Sequence, residues 1–392
     1  MNYKVSVIIP VYNAEKFLPK AIESLRRQTI GFENIQVIIV DDCSTDRTWE
    51  IVQNFTDTYT NIESERLPHN SGSDGAPRNP ALNMAKAKYC MFLDADDEFT
   101  DDACRLLYDT IESADVDFAF GYISDMDIEG NIISEKIGLN SQLYEDGKIY
   151  NFPADFNAFI PASGFSRGIY KIALIQQENI SFLEGVPASD TVFLMNYLLF
   201  SKCAIYIDKP VYKYTRHPGS ISFTYTKQYF LGMSEAFKVY FKLLDEHCLK
   251  AFFGKCADAY LSYSFAQLLK SELSKDDVNE IFGAFAWLWK ASSNIEHEGL
   301  GHLRELAEII CASLHGNHLD VYRSIKKIQA RESPLEENLH LRQQIDYLNK
   351  QMEQHNVIIA SRCYKMMLTI KYTAQKTGVL SLLRIFLRRT IY

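Results

Sequence analysis

The 392-residue sequence has no surplus of cations: 41 Lys+Arg stand against 50 Asp+Glu, a formal net charge of −9. A protein that tracks a nucleic-acid backbone meets phosphates with a basic face, so this deficit excludes nucleic acid as the expected partner. No run approaches the roughly 20 consecutive apolar residues that span a bilayer, and the start, MNYKVSVIIPVYN, passes into a strand-like pattern without a cleavage site. The expected location is the cytosol. The eight cysteines include no CxxC pair, which argues against a zinc site or a disulfide framework and leaves reduced thiols. A GxxxxGK[ST] loop is also missing, which excludes a P-loop. What remains is 47% hydrophobic and 23% charged, a composition suited to two or three compact folded units.

The first hundred residues alternate apolar runs with amphipathic ones, the grammar of an α/β fold. Val5 to Val11 and Val37 to Val40 are nearly continuous β-branched runs, as parallel strands covered on both faces require. Both end in polar residues, the usual mark of a ligand crevice at the edge of an open sheet. Phe17, Ala21, Leu25 and Gln28 fall at helical spacing and predict a buried helix face. DVDFAFGYISDMD and CAIYIDKPVYKYTR read as further strands and TVFLMNYLLFSK as a helix, so residues 1–225 form one domain. Residues 226–332 read as a helical subdomain and 333–392 as a C-terminal helical region. In the last, Leu341, Ile345, Leu348 and Met352 trace either the seam of a short coiled coil, and so a homo-oligomer, or an amphipathic helix docked on its own chain. Residues 361–392 carry seven Lys/Arg and no acidic residue. They suit either an anionic membrane surface, peripheral to the cell membrane, or the acidic body of the chain.

The strongest chemical signal is Asp94-Ala95-Asp96-Asp97, where an apolar strand ends in carboxylates. Strand alternation would put Asp94 and Asp96 on one side and Ala95 on the other. Two like charges so close call for a cation, and Mg²⁺ or Mn²⁺ accepts oxygen ligands while leaving room for phosphate. Asp41 closes the second strand and can accept hydrogen bonds from a base, whereas Thr45 or Asp46 reads as a plain helix cap. Pro10 bends the end of the first strand and Tyr12 offers an aromatic face for stacking. Asn70 to Asn79 reads as a Gly-rich loop in which Arg78 offers a fork of donors to phosphate or base. His297/His302 and His315/His318 lack the partners of a metal site, and Trp287 and Trp289 read first as core, with an acceptor-sugar platform as the minor alternative.

These blocks, PVYNAEKFLPKAIESLRRQT, IIVDDCSTDRT and APRNPALNMAKAKYCMFLDADD, resemble the nucleotide-binding half of family 2 glycosyltransferases of the GT-A fold. SGFSRGIYKIALIQQENISFLE, VPASDTVFLMNYLL and VYKYTRHPGSIS resemble the acceptor-side and closing segments of the same family, to about residue 222. The resemblance implies an open α/β sheet flanked by helices and an inverting, metal-dependent transfer of a hexosyl or N-acetylhexosaminyl unit. The donor would be a nucleotide-diphosphate sugar, UDP-sugar favoured, and the acceptor a hydroxyl of a cell-surface glycan, glycolipid or wall polymer. It places Pro10, Tyr12, Asp41, Arg78, Asp94, Ala95 and Arg216 at the nucleotide-sugar, Asp94, Asp96 and His217 at Mn²⁺ or Mg²⁺, and Asp190 as catalytic base. The residue before the base, usually glutamate, is Ser189 here. That departure favours the alternative of a non-catalytic glycan-binding or scaffold member of a synthase complex. A sugar-nucleotide-forming nucleotidyltransferase would instead open with a GxGxRL-type loop, unlike PVYNAEKF.

Overall fold

A computed structural model of the chain describes residues 3–137, 143–159, 164–217 and 225–292, together with 322, 325 and 326. The chain divides into two compact units, residues 1–322 and 323–392. The coiled-coil seam, the basic segment 361–392 and the paired histidines of 297–318 lie outside the described residues.

The first unit opens with β1 (Val5–Val11), α1 (Leu18–Arg26), β2 (Ile35–Asp41), α2 (Thr48–Thr58), β3 (Ile62–Arg66), α3 (Gly75–Met84), β4 (Tyr89–Phe92), β5 (Glu98–Phe99) and α4 (Ala103–Ala114). It continues through β6 (Phe118–Met126), β7 (Ile132–Ile137), β8 (Ile149–Asn151), β9 (Gly168–Lys171), α5 (Ile172–Gln177), α6 (Ser189–Phe200) and β10 (Cys203–Thr215). The sheet runs β3-β2-β1-β4-β9-β6-β10-β5, with β7 beside β6 and β8 beside β10. β3, β2, β1 and β4 are mutually parallel. β9 then lies antiparallel to both β4 and β6. The resulting sheet is mixed, and the two β-branched runs read as parallel strands are parallel in it. GIYK of β9 is only four residues long, too short for its alternation to register as a strand.

β1 and β2 are β-branched because they are sealed on both faces: Val5, Val7, Ile8, Ile9, Ile35, Val37, Ile38, Ile39 and Val40 have no exposed surface. Ser6 and Gln36 within these strands are satisfied in place, since the Ser6 hydroxyl donates to Gln36 Oε1 at 2.6 Å and Gln36 Nε2 donates to the Met84 carbonyl at 3.0 Å. α1 buries Leu18, Ala21, Ile22 and Leu25 against this sheet. Gln28 is buried as its spacing predicts, and it donates to the Thr100 carbonyl at 2.8 Å while accepting from Cys104 N at 2.9 Å. Phe17 departs from the predicted buried face. Its ring is only partly covered and stacks on His217 at 4.4 Å, so the start of α1 faces the crevice.

α7 (Lys227–Glu246), α8 (Phe253–Leu269) and α9 (Lys275–Ser292) follow the sheet. Phe237 stacks on Tyr260 at 4.3 Å, and Trp287 meets Phe241 edge-on at 5.4 Å while its indole N–H donates to Ser234 Oγ at 3.0 Å. Trp287 is therefore half-buried and packed among these helices, whereas the side chain of Trp289 lies outside the described residues. Among the described residues no helix is long and apolar enough to cross a membrane. α7 packs against α6, and a Cβ on Gly232 of α7 would lie 2.5 Å from the Pro187 ring just ahead of α6. Proline cannot swing aside, so Gly232→Ala is expected to cost about 1–3 kcal/mol through overpacking. Urea denaturation of the variant against the parent protein measures it.

Candidate active site

The C-terminal ends of β1, β2 and β4 converge, and each carries residues the sequence marks. Pro10 sits one residue from the end of β1 and Tyr12 just beyond it, with 48% of Tyr12 exposed. Asn13 takes a left-handed backbone, φ 48°. From there its N–H donates to Ser44 Oγ at 2.9 Å, and its Oδ1 accepts from Thr45 N at 2.8 Å. Asp41 is fully buried and is held by the Ser44 N–H at 3.2 Å, by the Ser44 hydroxyl, and by Arg66 Nε at 3.0 Å. Asp41 is thus held by Ser44 and Arg66, neither of which the sequence reading singles out. Asp46 accepts from Thr48 N at 2.9 Å, but the cap position of α2 is Arg47 and carries no side-chain cap bond, so neither Thr45 nor Asp46 is the plain helix cap the sequence suggests.

The stretch read as a Gly-rich loop is in part a helix: α3 starts at Gly75 and Arg78 sits in its first turn, only 2% exposed. Its guanidinium pairs with Asp74 through Nη1 and with Asp94 Oδ1 through Nη2 at 2.5 Å. It also lies over the rings of Phe165 and Phe182, 4.8 and 5.3 Å from their centroids. Burial opposes its charge, yet Asp74 and Asp94 hold its pKa above the usual value. Burial likewise opposes ionisation of Asp74, but Arg78 outweighs it and keeps that carboxyl below its usual range.

Asp94 to Asp97 form a turn, closed by Asp97 N to the Asp94 carbonyl at 3.1 Å, so strand alternation does not govern them. Asp94 and Asp96 point to different partners. Asp94 goes to Arg78, whereas Asp96 Oδ2 lies 2.9 Å from His217 Nε2. Ala95 is 8% exposed between them. Asp97 is buried and accepts from Tyr212 Oη and Thr215 N, both at 2.7 Å. Burial raises the Asp94 carboxyl, with Asp96 adding repulsion against the pull of Arg78. Burial, Asp96 and then Asp94 push Asp97 higher still.

Among the described residues no three His, Cys, Asp or Glu side chains are already gathered as a metal cage. The chemistry of the donors present nonetheless fits a hard divalent cation. A carboxylate and an imidazole face each other at Asp96 and His217, Asp94 is adjacent in the same turn, and the crowded carboxylates repel one another. Arg216, next to His217, donates from its Nε to the buried Asp125 at 2.6 Å.

Asp190 occupies the first turn of α6, where backbone N–H groups favour a carboxylate. Burial raises its pKa to about 6, with Asp74 adding repulsion and Arg78 opposing it. The preceding Ser189 is fully buried and its hydroxyl donates to Asp74 Oδ1 at 3.1 Å. Asp74 therefore belongs to the site although the sequence reading passes over it. Its position four residues before Arg78 is the available signal, because such a pair meets on one helix face. A carboxyl raised in the folded state adds stability that is fully present below its unfolded pKa and lost as pH rises through about 6. Asp190→Asn is thus expected to stabilise the fold at pH 7.5 by about 1–2 kcal/mol, after allowance for partial exposure, and by nothing near pH 4. Thermal melts of both proteins across this range test it.

A mixed sheet whose strand ends carry an acidic turn beside a histidine has the GT-A fold. Residues 6–172 match the family model Glycosyl transferase family 2. It is 29% identical over 221 residues to the poly(ribitol-phosphate) beta-glucosyltransferase of Bacillus spizizenii, covering 55% of this chain and 33% of that protein. It is 30% identical over 249 residues to the glycosyltransferase GlyA of Streptococcus pneumoniae, covering 59% of this chain and 33% of that one. The matched part thus spans about a third of the length of these relatives. Among solved structures, residues 1–349 of Staphylococcus aureus TarS with UDP-GlcNAc superimpose with TM-score 0.65 at 23% identity, covering 84% of this chain and 92% of that one.

Proposed function

We propose that the chain is an inverting, metal-dependent glycosyltransferase that moves a sugar from a nucleotide-diphosphate donor, a UDP-sugar, to a hydroxyl of a wall polymer. The observation that carries this reading is the electrostatic neighbourhood of Asp190. A carboxyl tuned to about 6 stands beside Asp74, Arg78 and Asp94, so a base lies near the acidic turn. The wall-polymer acceptor draws support from the poly(ribitol-phosphate) in the names of relatives from Bacillus spizizenii and Staphylococcus aureus. The UDP-sugar draws support from the ligand named with the TarS structure.

In this reading Tyr12 stacks on the base, with Asp41 and Arg66 beneath it. Asp190 takes the proton of the acceptor hydroxyl as its oxygen attacks the anomeric carbon and the bond to the diphosphate breaks on the opposite side. Asp96 and His217, with Asp94, would hold Mn²⁺ or Mg²⁺, which supplies charge neutralisation for the departing diphosphate. Arg78 holds Asp94 in place through its ion pair. The scaffold alternative rested on Ser189, and the hydrogen bond from Ser189 to Asp74 gives that serine a place in a working site.

Asp190→Asn should lower kcat by about 10²–10⁴-fold while leaving the donor KM within a few-fold. Wild-type kcat should fall below an acid limb near pH 6, because only the ionised carboxylate accepts a proton. Steady-state release of UDP from UDP-glucose and UDP-GlcNAc, with poly(ribitol phosphate) as acceptor, measures both. Chelation by EDTA should abolish turnover and Mn²⁺ restore it, with His217→Ala raising the Mn²⁺ concentration for half-activity by about tenfold or more. Full activity in EDTA would remove the metal from the proposal.

A further inference from the structure

Two elements far apart in sequence are laced together beside the base. The Ser73 hydroxyl accepts from Gly185 N at 2.9 Å, and Asn79 accepts from Phe182 N at 2.9 Å while donating to the Phe182 carbonyl at 3.1 Å and to Glu184 at 2.8 Å. A Cβ on Gly75 would sit 2.1 Å from the Leu183 carbonyl oxygen, so only glycine lets the start of α3 lie this close. At the end of the seam, Ser189 Oγ donates to Asp74 Oδ1 at 3.1 Å while Asp74 Oδ2 takes Arg78. Ser189 has no exposed surface. A glutamate at that position would press a second carboxylate against Asp74 in a space already filled, and like charges so placed repel. The two positions therefore accommodate one carboxylate between them.

We propose that Asp74 is a positioning residue that supplies, from the start of α3, the carboxylate missing at position 189. Through Ser189 and the shared Arg78 it fixes the first turn of α6 and aims Asp190 at the acceptor hydroxyl. The proposal rests on the reading of Asp190 as the base and goes beyond it by naming what orients that base. The groups that act on Asp190 are Asp74 and Arg78 from α3, Asp94 from the turn after β4, Tyr170 of β9, Tyr229 of α7 and Tyr260 of α8. Of the carboxylates, Asp74 adds the larger repulsion. Removing its charge therefore makes Asp190 a weaker base as well as a less well-aimed one.

The test is a carboxylate swap in the full chain, assayed for UDP release from UDP-glucose or UDP-GlcNAc with Mn²⁺ and poly(ribitol phosphate). Asp74→Asn should lower kcat about 10–100-fold with donor KM within about threefold, and move the acid limb of kcat below that of the wild type. Ser189→Glu alone should be impaired at least as much. The double variant Asp74→Ser/Ser189→Glu should recover about tenfold or more over the worse single variant, the non-additivity expected of two residues sharing one role. A folded double variant no better than the worse single variant would overturn the proposal. Unchanged kcat and an unmoved acid limb in Asp74→Asn would do the same, and this variant needs no extra volume in the core. Asp190→Asn run alongside separates the two readings. If it turns over normally the base assignment falls and takes this proposal with it; if it is inactive while the swap shows no coupling, only the role of Asp74 falls.

Discussion

One buried guanidinium organises the crevice. Arg78 is 2% exposed and lies between Asp74 and Asp94, with two aromatic rings against its face. An unpaired charge at such depth would be strongly unfavourable, so both carboxylates are obliged to stay where the arginine is. The obligation extends outward. Asp94 begins the acidic turn that carries Asp96 toward His217, and Asp74 meets Ser189 immediately before Asp190. The acidic turn after β4 and the first turn of α6 are thus fastened to a single cation.

The sheet makes that fastening possible. Parallel β1, β2 and β4 bring the residues after Val11, Asp41 and Phe92 to one edge, although these segments are tens of residues apart in sequence. α3 crosses over between β3 and β4 and delivers Arg78 to the same edge. On the other side, β10 runs beside β6 and ends at Thr215, where the backbone N–H bonds Asp97 and sets His217 against the acidic turn and the ring of Phe17. Tyr212 of β10 helps by donating to Asp97 and accepting from Asp94 N. Strand ends supply position here, and buried side-chain bonds supply orientation.

Much of this was legible in the residues alone. The β-branched runs of β1 and β2 and the strands of β6 and β10 are local patterns, and local patterns survive into the fold. The pairing of His217 with Asp96 agrees with what the family resemblance implies, and no local pattern in the sequence carries it. The illegible parts are non-local. Nothing in GIYK announces a strand wedged antiparallel between β4 and β6, because its pairing is decided by neighbours. Gly75 looks like loop punctuation, yet it begins a helix whose first turn needs close contact with Leu183. Asp74 is one acidic residue among fifty, and only the approach of Ser189 from 115 residues away gives it meaning.

The residue just ahead of Ser189 takes an unusual shape. Ala188 adopts φ 57°, ψ 22°, a left-handed geometry that costs an L-residue roughly 1–2 kcal/mol and that glycine enters freely. A glycine there would relax the joint, and it would also open many more backbone routes between Pro187 and α6. The methyl group narrows those routes. The chain accepts a small permanent discomfort at this one joint, and in exchange the helix behind it starts from a single, stiff point of departure.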